Sequence, residues 1–150
     1  MTENTSPAAS LPEPIVSGGR FYAMRLKPGE DVLDTLQAFV TANDIKAAGI
    51  VTVVGSLTHA MIRYAARPVG ALREGLFEIV SMIGTVEATG CHVHISCSDE
   101  NGDMFGGHML SGCLTRTTCE IVLVELTDMV FSREYCPIST WDELVIRPKA

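Results

Sequence analysis

The centre of the chain reads Cys91-His92-Val93-His94-Ile95-Ser96-Cys97-Ser98, then Asp99-Glu100-Asn101-Gly102-Asp103, then Met104-Phe105-Gly106-Gly107-His108. Apolar and polar residues alternate along the first segment as they do in strands, and the second segment is made of turn-forming residues. The stretch therefore predicts a β-hairpin that carries three of the four histidines in the chain.

The two faces of the first predicted strand differ in character, because residues two apart on a strand point the same way. One face is polar and consists of His92, His94 and Ser96. The other is apolar, is predicted to face the core, and consists of Val93, Ile95 and Cys97. The histidines are thus expected on a surface, in a cleft or at a subunit interface.

The loop of the hairpin determines whether His108 joins the other two histidines. A two-residue turn at 101–102 would place His108 opposite Ile95, with its ring on the wrong face. A three-residue loop at 100–102, ending on a glycine in the left-handed conformation, places His108 opposite His94. We favour the second register because it uses glycine where a positive φ is needed.

Three neutral imidazoles at one point would form a metal site with an open coordination position, the pattern of catalytic rather than structural zinc. We predict a divalent metal ion, zinc first, bound by His92, His94 and His108. The alternative is that the histidines serve hydrogen bonding or assembly.

Other polar residues are weaker candidates. Gly106 and Gly107 would leave room for a ligand near the metal, and Arg116 or an arginine of the 67–73 segment could hold an anionic group. The sequence assigns no catalytic residue, and it contains no motif for an organic cofactor, a nucleotide or a serine or cysteine nucleophile. His59 is predicted to be a structural or interface residue.

Two carboxylates lie within predicted apolar strands. Glu78 and Glu120 are expected to be buried and paired with Arg116 or Arg63, since a buried carboxylate normally has a partner. A general-base role is the alternative.

Length and composition limit the class of protein. The 150 residues are 47% hydrophobic, which suits one globular domain, and the net charge of −7 opposes binding to nucleic acid or an anionic membrane. No apolar run approaches the roughly 20 residues of a membrane span.

Five cysteines without a Cys-x-x-Cys pair, and no secretory leader, favour a reducing, cytoplasmic location, with the thiols buried as packing residues.

The rest of the chain predicts an α+β fold. Residues 1–19 are expected to be a disordered tail, 20–146 the domain, and 147–150 a frayed end. A helix is predicted over 32–42 with Asp31 as its N-cap. Strands are predicted over 20–27, 48–54, 57–64, 77–83, 91–98, 104–110, 119–126 and 130–135, with a short edge strand at 145–146 and a long loop at 65–75. The expected architecture is a curved, mostly antiparallel sheet of about seven or eight strands with one main helix packed on it.

Several short motifs resemble the PPC domain, the plants and prokaryotes conserved domain. They are Gly29-Glu30-Asp31, Gly55-Ser56, Gly75-Leu76-Phe77-Glu78-Ile79, His92-Val93-His94-Ile95-Ser96 and Gly106-Gly107-His108. The match covers about residues 20–145. The resemblance implies a compact α+β domain that assembles as a homotrimer, and some similar stand-alone members hold a metal at the positions of His92, His94 and His108.

Plant members of that family differ from this chain before the domain. They carry AT-hook segments, which contact the minor groove of DNA, whereas residues 1–19 contain no basic residue and no Arg-Gly-Arg-Pro core. Direct DNA binding is therefore disfavoured, and a DNA-binding label would be an analogy with the fused proteins.

Three hypotheses follow. The first is a cytoplasmic homotrimer whose metal site binds or converts a small ligand, which would be anionic if an arginine receives it. The second is a non-enzymatic oligomerisation or regulatory interaction module. The third is a DNA-binding protein. The sequence leaves open whether the protein is an enzyme and which reaction it would catalyse.

Overall fold

The computed structural model describes residues 13–150. Eight strands and one helix follow in the order β1 Gly19–Leu26, α1 Val32–Ala42, β2 Ala48–Arg63, β3 Ala71–Glu87, β4 Gly90–Ser98, β5 Met104–Met109, β6 Thr115–Leu126, β7 Met129–Cys136 and β8 Trp141–Pro148. The predicted α+β class, with a mostly antiparallel sheet and one main helix, is confirmed.

Six strands form the main sheet in the order β1-β6-β2-β3-β4-β5. The last strand, β5, also pairs with the end of β2, through Ile62 with Met109 and Arg63 with His108. Strands β2 to β5 therefore close on themselves, which gives the sheet its curvature. The closure places the strand that carries His108 between β4 and β2.

The helix covers one side of the sheet and follows the predicted pattern. The Asp31 side chain accepts a hydrogen bond from the Asp34 amide at 2.9 Å, so Asp31 is the N-cap. Val32, Leu36 and Val40 are fully buried against the sheet. Within residues 13–150, no helix is both long and apolar enough to span a bilayer.

Of two breaks predicted between strands, one is absent from the structure and the other is shorter than expected. Strand β2 is continuous where two strands were predicted, and its register shifts between Gly55 and Leu57. A Cβ atom on Gly55 would lie only 2.2 Å from the Thr118 carbonyl oxygen, so this glycine permits close approach of β6 instead of ending the strand. Strand β3 begins at Ala71, which reduces the connection to residues 64–70.

The C-terminal residues form a separate two-stranded sheet. Strands β7 and β8 pair over eight positions, from Met129 with Pro148 to Cys136 with Trp141. The predicted edge strand at 145–146 is thus part of a longer strand that includes Arg147 and Pro148. At the other end, residues 1–12 of the predicted tail lie outside the described residues, and the predicted domain limits remain a prediction.

All five cysteines are free thiols. Cys97, Cys113 and Cys119 are buried, and burial raises the pKa of Cys97 and of Cys119 to about 11 and of Cys113 to about 12. Thiols with such raised pKa values are poor nucleophiles, which agrees with a packing role.

Candidate metal centre

The β4–β5 hairpin has the register that brings the histidines together. His94 lies directly opposite His108, as the three-residue loop at 100–102 predicts. Gly102 has a φ of +84°, and its amide donates to the Asp99 carbonyl at 3.0 Å. The favoured register is therefore confirmed.

Packing fixes which way the rings point. Val93, Ile95 and Cys97 fill the core from the inner face of β4. His92 and His94 are consequently exposed on the outer face, and His108 is half-buried beside them.

The three rings surround one point. Their centroids are 5.1, 5.2 and 5.6 Å apart, and one nitrogen from each ring lies within 4.8 Å of the corresponding nitrogens of the other two. The Nε2 atoms of His92 and His94 are 3.3 Å apart. Two nitrogens bound tetrahedrally to zinc at about 2.0–2.1 Å are separated by about 3.3–3.4 Å. This pair is thus spaced as zinc would require.

The surroundings of two of the rings, His92 and His108, favour the neutral form that a metal binds. Although His92 is largely exposed, partial desolvation of its ring, followed by the neighbouring His94, lowers its pKa. Burial, followed by the Arg63 guanidinium, lowers the pKa of His108. Neutral imidazole is the form that binds a metal. Moreover, Nδ1 of His108 is buried with no hydrogen-bond partner within residues 13–150, so the fold does not use the full bonding capacity of this ring.

A cavity of about 810 Å³ opens beside His92 and His108. Its volume falls in the range of small-molecule sites, about 300–1,000 Å³. The strand β2 and the 64–70 connection supply one wall and the β7–β8 hairpin supplies another; the charged and aromatic residues of these walls are Arg63, Arg67, Arg133, Trp141, Asp142 and Glu143. The triad therefore adjoins a space large enough for a ligand.

Three of the candidate ligand-binding residues lie outside this cavity. Arg116 is exposed near the start of β6, and neither it nor Gly106 nor Gly107 lines the cavity. A Cβ on Gly106 would lie 2.4 Å from the Ile95 carbonyl oxygen, and one on Gly107 would lie 2.9 Å from the Arg63 carbonyl oxygen. The two glycines allow β5 to fit between β4 and β2, which is a structural reason for their lack of side chains. Of the 67–73 arginines, Arg67 does line the cavity.

The prediction that Glu78 and Glu120 are buried is wrong, because both side chains point away from the core and are exposed. Among residues 13–150, the buried carboxylates are Glu87, which accepts a hydrogen bond from Arg133 Nε at 3.0 Å, and Glu125, which accepts one from the Tyr22 hydroxyl at 2.8 Å. Alternation along β6 does place Glu125 in phase with buried Ile121 and Leu123, whereas Glu87 directly follows buried Val86 and breaks the alternation of β3.

His59 lies outside the triad. Its Nδ1 is 2.9 Å from the Thr58 hydroxyl, and its Nε2 is 3.8 Å from a Glu74 carboxylate oxygen across the β2–β3 pair. These contacts agree with the predicted structural role.

Comparison with known proteins identifies the family. Residues 14–127 match the model of the Plants and Prokaryotes Conserved (PCC) domain, which is the same family as the PPC domain that the short motifs resemble. The chain belongs to this family. A solved hypothetical protein from Salmonella enterica is 46% identical, with a TM-score of 0.89, over 91% of this chain and 99% of that one. A metal-containing protein from Archaeoglobus fulgidus is 23% identical, with a TM-score of 0.73, over 88% and 96% of the two chains, and shares the fold.

The PCC domain also matches part of a larger protein. The bifunctional protein GlmU of Synechococcus sp. (strain JA-3-3Ab) is 36% identical over 146 residues, which is 97% of this chain and 24% of that protein. This PCC chain therefore spans about a quarter of the length of the curated relatives it matches.

Proposed function

We propose that this PCC domain assembles as a homotrimer, holds a divalent metal ion, zinc first, at His92, His94 and His108, and binds or converts a small ligand in the adjoining cavity. The observation that carries the proposal is the convergence of three imidazoles, two of them with zinc-compatible spacing, beside an open space. Because the Archaeoglobus protein is only 23% identical to this chain, the comparison with it shows a shared fold alone. The proposal therefore rests on the geometry of this chain.

The ligand set accounts for the chemistry that the site could perform. Three histidines leave one coordination position for a ligand, and a metal held in this way acts as a Lewis acid toward a carbonyl or phosphoryl oxygen. The chain itself supplies the arginines that would orient such a ligand. Whether the ligand is only bound or also converted depends on its identity.

The metal proposal predicts one ion per chain. Protein purified without a metal-affinity tag, loaded with zinc and dialysed, should contain one equivalent of zinc by elemental analysis. The His94→Ala variant, which removes a direct ligand, should retain about one tenth of that or less. The matched control is His59→Ala, which removes a histidine outside the triad and should retain the full equivalent. Clearly less than one equivalent in the wild type, or equal contents in the two variants, would contradict the proposal.

Self-association is supported by an apolar outer face on the sheet. Leu76, Val80 and Ile83 of β3 are 46%, 53% and 62% exposed. Ile83 pairs with His94 across β3 and β4. Exposed apolar side chains of this size, grouped on one strand, mark a surface that another chain can bury. A neighbouring subunit at this face would lie next to the triad.

A charge on this face should therefore break the assembly. Light scattering after gel filtration should give the wild type about three times the chain mass of 16.2 kDa, and Val80→Glu should give a lower mass because a buried carboxylate without a partner is unfavourable. Val69→Glu, which changes an even more exposed valine in the 64–70 connection, should leave the trimer intact. A monomeric wild type would refute the trimer.

The same exposed face also favours the second candidate function, an assembly module without metal chemistry. The two functions differ in what the histidines do. The test is whether each variant gene can replace the wild-type gene in the cell. If the gene with alanine at His92, His94 and His108 replaces it and the gene with Val80→Glu does not, the assembly module is the correct function. The cytoplasmic location remains a prediction from cysteine usage.

A further inference from the structure

The cavity beside the triad carries three arginines, and their surroundings indicate what it binds. Resting on the proposed ligand-binding role of this cavity, we propose that its ligand is a small organic anion. The carboxylate or phosphate of this anion would be received by Arg63 and Arg133. Its remaining atoms would lie between Trp141 and the histidines.

Arg133 is held rigidly at the cavity wall. Its Nε donates to the Glu87 carboxylate and its Nη2 donates to the Thr85 hydroxyl, both at 3.0 Å. The side chain is only 20% exposed. Within residues 13–150, its Nη1 has no protein partner, and that nitrogen is not fully buried. A guanidinium fixed in this way keeps donors for a ligand without a further loss of side-chain entropy.

Arg63 lies next to the triad because of the closure of the sheet. It pairs directly with His108 across β2 and β5, so the two side chains share a face. Its guanidinium carbon is 5.9 Å from the centre of the Trp141 ring. Unlike Arg133, it forms no ion pair within residues 13–150. Its positive charge is therefore available to a ligand.

Acidic residues limit the size of the anion. Asp142 and Glu143 line the same cavity from β8 and are exposed, and Glu87 already neutralises Arg133. Together with the net charge of −7, the two exposed carboxylates oppose a polyanion such as a nucleic-acid backbone. One small head group can accept hydrogen bonds from Arg133 and meet the unpaired charge of Arg63 without a long contact along the acidic rim.

The β7–β8 hairpin supplies much of this recognition. Arg133 and Trp141 come from strands at 129–136 and 141–148, which follow the region matched by the family model at 14–127. The choice of ligand would therefore depend on a hairpin that the PCC match does not include.

The single tryptophan of the chain, Trp141, allows a direct test. Zinc-loaded protein is titrated with succinate and with glycerol 3-phosphate, and with the uncharged succinamide and glycerol, while the emission of Trp141 is followed. At least one anion should give a saturable change, and neither uncharged compound should. Saturation by succinate alone identifies a carboxylate ligand, and saturation by glycerol 3-phosphate alone identifies a phosphate ester.

Variants connect the signal to the arginines. Arg63→Gln should weaken anion binding about tenfold or more, because it removes a charge-assisted hydrogen bond. The combined Arg133→Gln and Glu87→Gln variant, which avoids an unpaired buried charge, should do the same. Arg116→Gln changes an exposed arginine outside the cavity and should bind like the wild type.

Three outcomes would overturn the inference: neither anion saturates, the uncharged compounds bind equally well, or Arg63→Gln binds as tightly as Arg116→Gln. The zinc content of each sample is measured in parallel. Protein that binds an anion through Arg63 but holds no zinc supports the inference and removes the metal proposal. Protein that holds zinc at the triad but binds neither anion overturns the inference and supports the metal proposal.

Discussion

Replacing Arg133 by methionine should lower the free energy of unfolding by about 3–5 kcal/mol, the largest effect on stability that we expect from a single polar residue. Glu87 is 1% exposed, and its only charged partner within residues 13–150 is the Arg133 guanidinium at 3.0 Å. Without Arg133, a buried carboxylate would lack both its counter-charge and a hydrogen bond. Urea denaturation followed by circular dichroism measures the loss.

Two controls distinguish this explanation from a general weakening of the hairpin. Arg147→Met removes an ion pair with Glu134 in the same β7–β8 sheet, but both partners are about half exposed, so it should lower the stability far less than Arg133→Met. The double variant Glu87→Met and Arg133→Met replaces the buried pair by apolar groups and should recover most of the lost stability. Equal losses in Arg133→Met and Arg147→Met would contradict the burial argument.

Replacing Gly106 by alanine should damage both the fold and the site. The new Cβ would lie 2.4 Å from the Ile95 carbonyl oxygen and 3.0 Å from the Ser96 Cα, so β5 must move away from β4. We expect a loss of about 1–3 kcal/mol in unfolding free energy, the usual cost of overpacking. Because the same movement separates His108 from His94, zinc affinity should fall about 10- to 100-fold, as it does when the supports of metal ligands are changed.

Gly90→Ala is the matched control for this change. Gly90 begins β4, and a Cβ there would meet no atom within 4 Å. The stability and the zinc affinity of the Gly90→Ala variant, measured by denaturation and by competition with a chromogenic chelator, should stay near wild-type values. If Gly106→Ala bound zinc as tightly as Gly90→Ala, the spacing of β4 and β5 would not control the triad.

Local patterns predicted the elements on which the histidines lie. The helix at 32–42 and its Asp31 cap depend on contacts between near neighbours, and both were predictable. The register that pairs His94 with His108 follows from one glycine and a three-residue loop. Such features need only the chemistry of adjacent residues.

The cavity could not be predicted in the same way. Arg63 reaches His108 only because β2 pairs with β5, strands that are more than 40 residues apart in the chain. Arg133 and Trp141 reach it because a second sheet folds back beside the triad. Glu87 is buried and Glu78 exposed although both lie on β3, since tertiary neighbours rather than alternation determine their burial. Non-local contacts of this kind leave no signal in a short stretch of sequence.

Anomalous diffraction at the zinc absorption edge, from crystals of zinc-loaded protein, tests the central claim most directly. We predict one strong peak per chain, about 2.0–2.1 Å from one nitrogen of each of His92, His94 and His108. A peak bound by only one of these rings, a peak elsewhere on the chain, or no peak at all would contradict the metal centre.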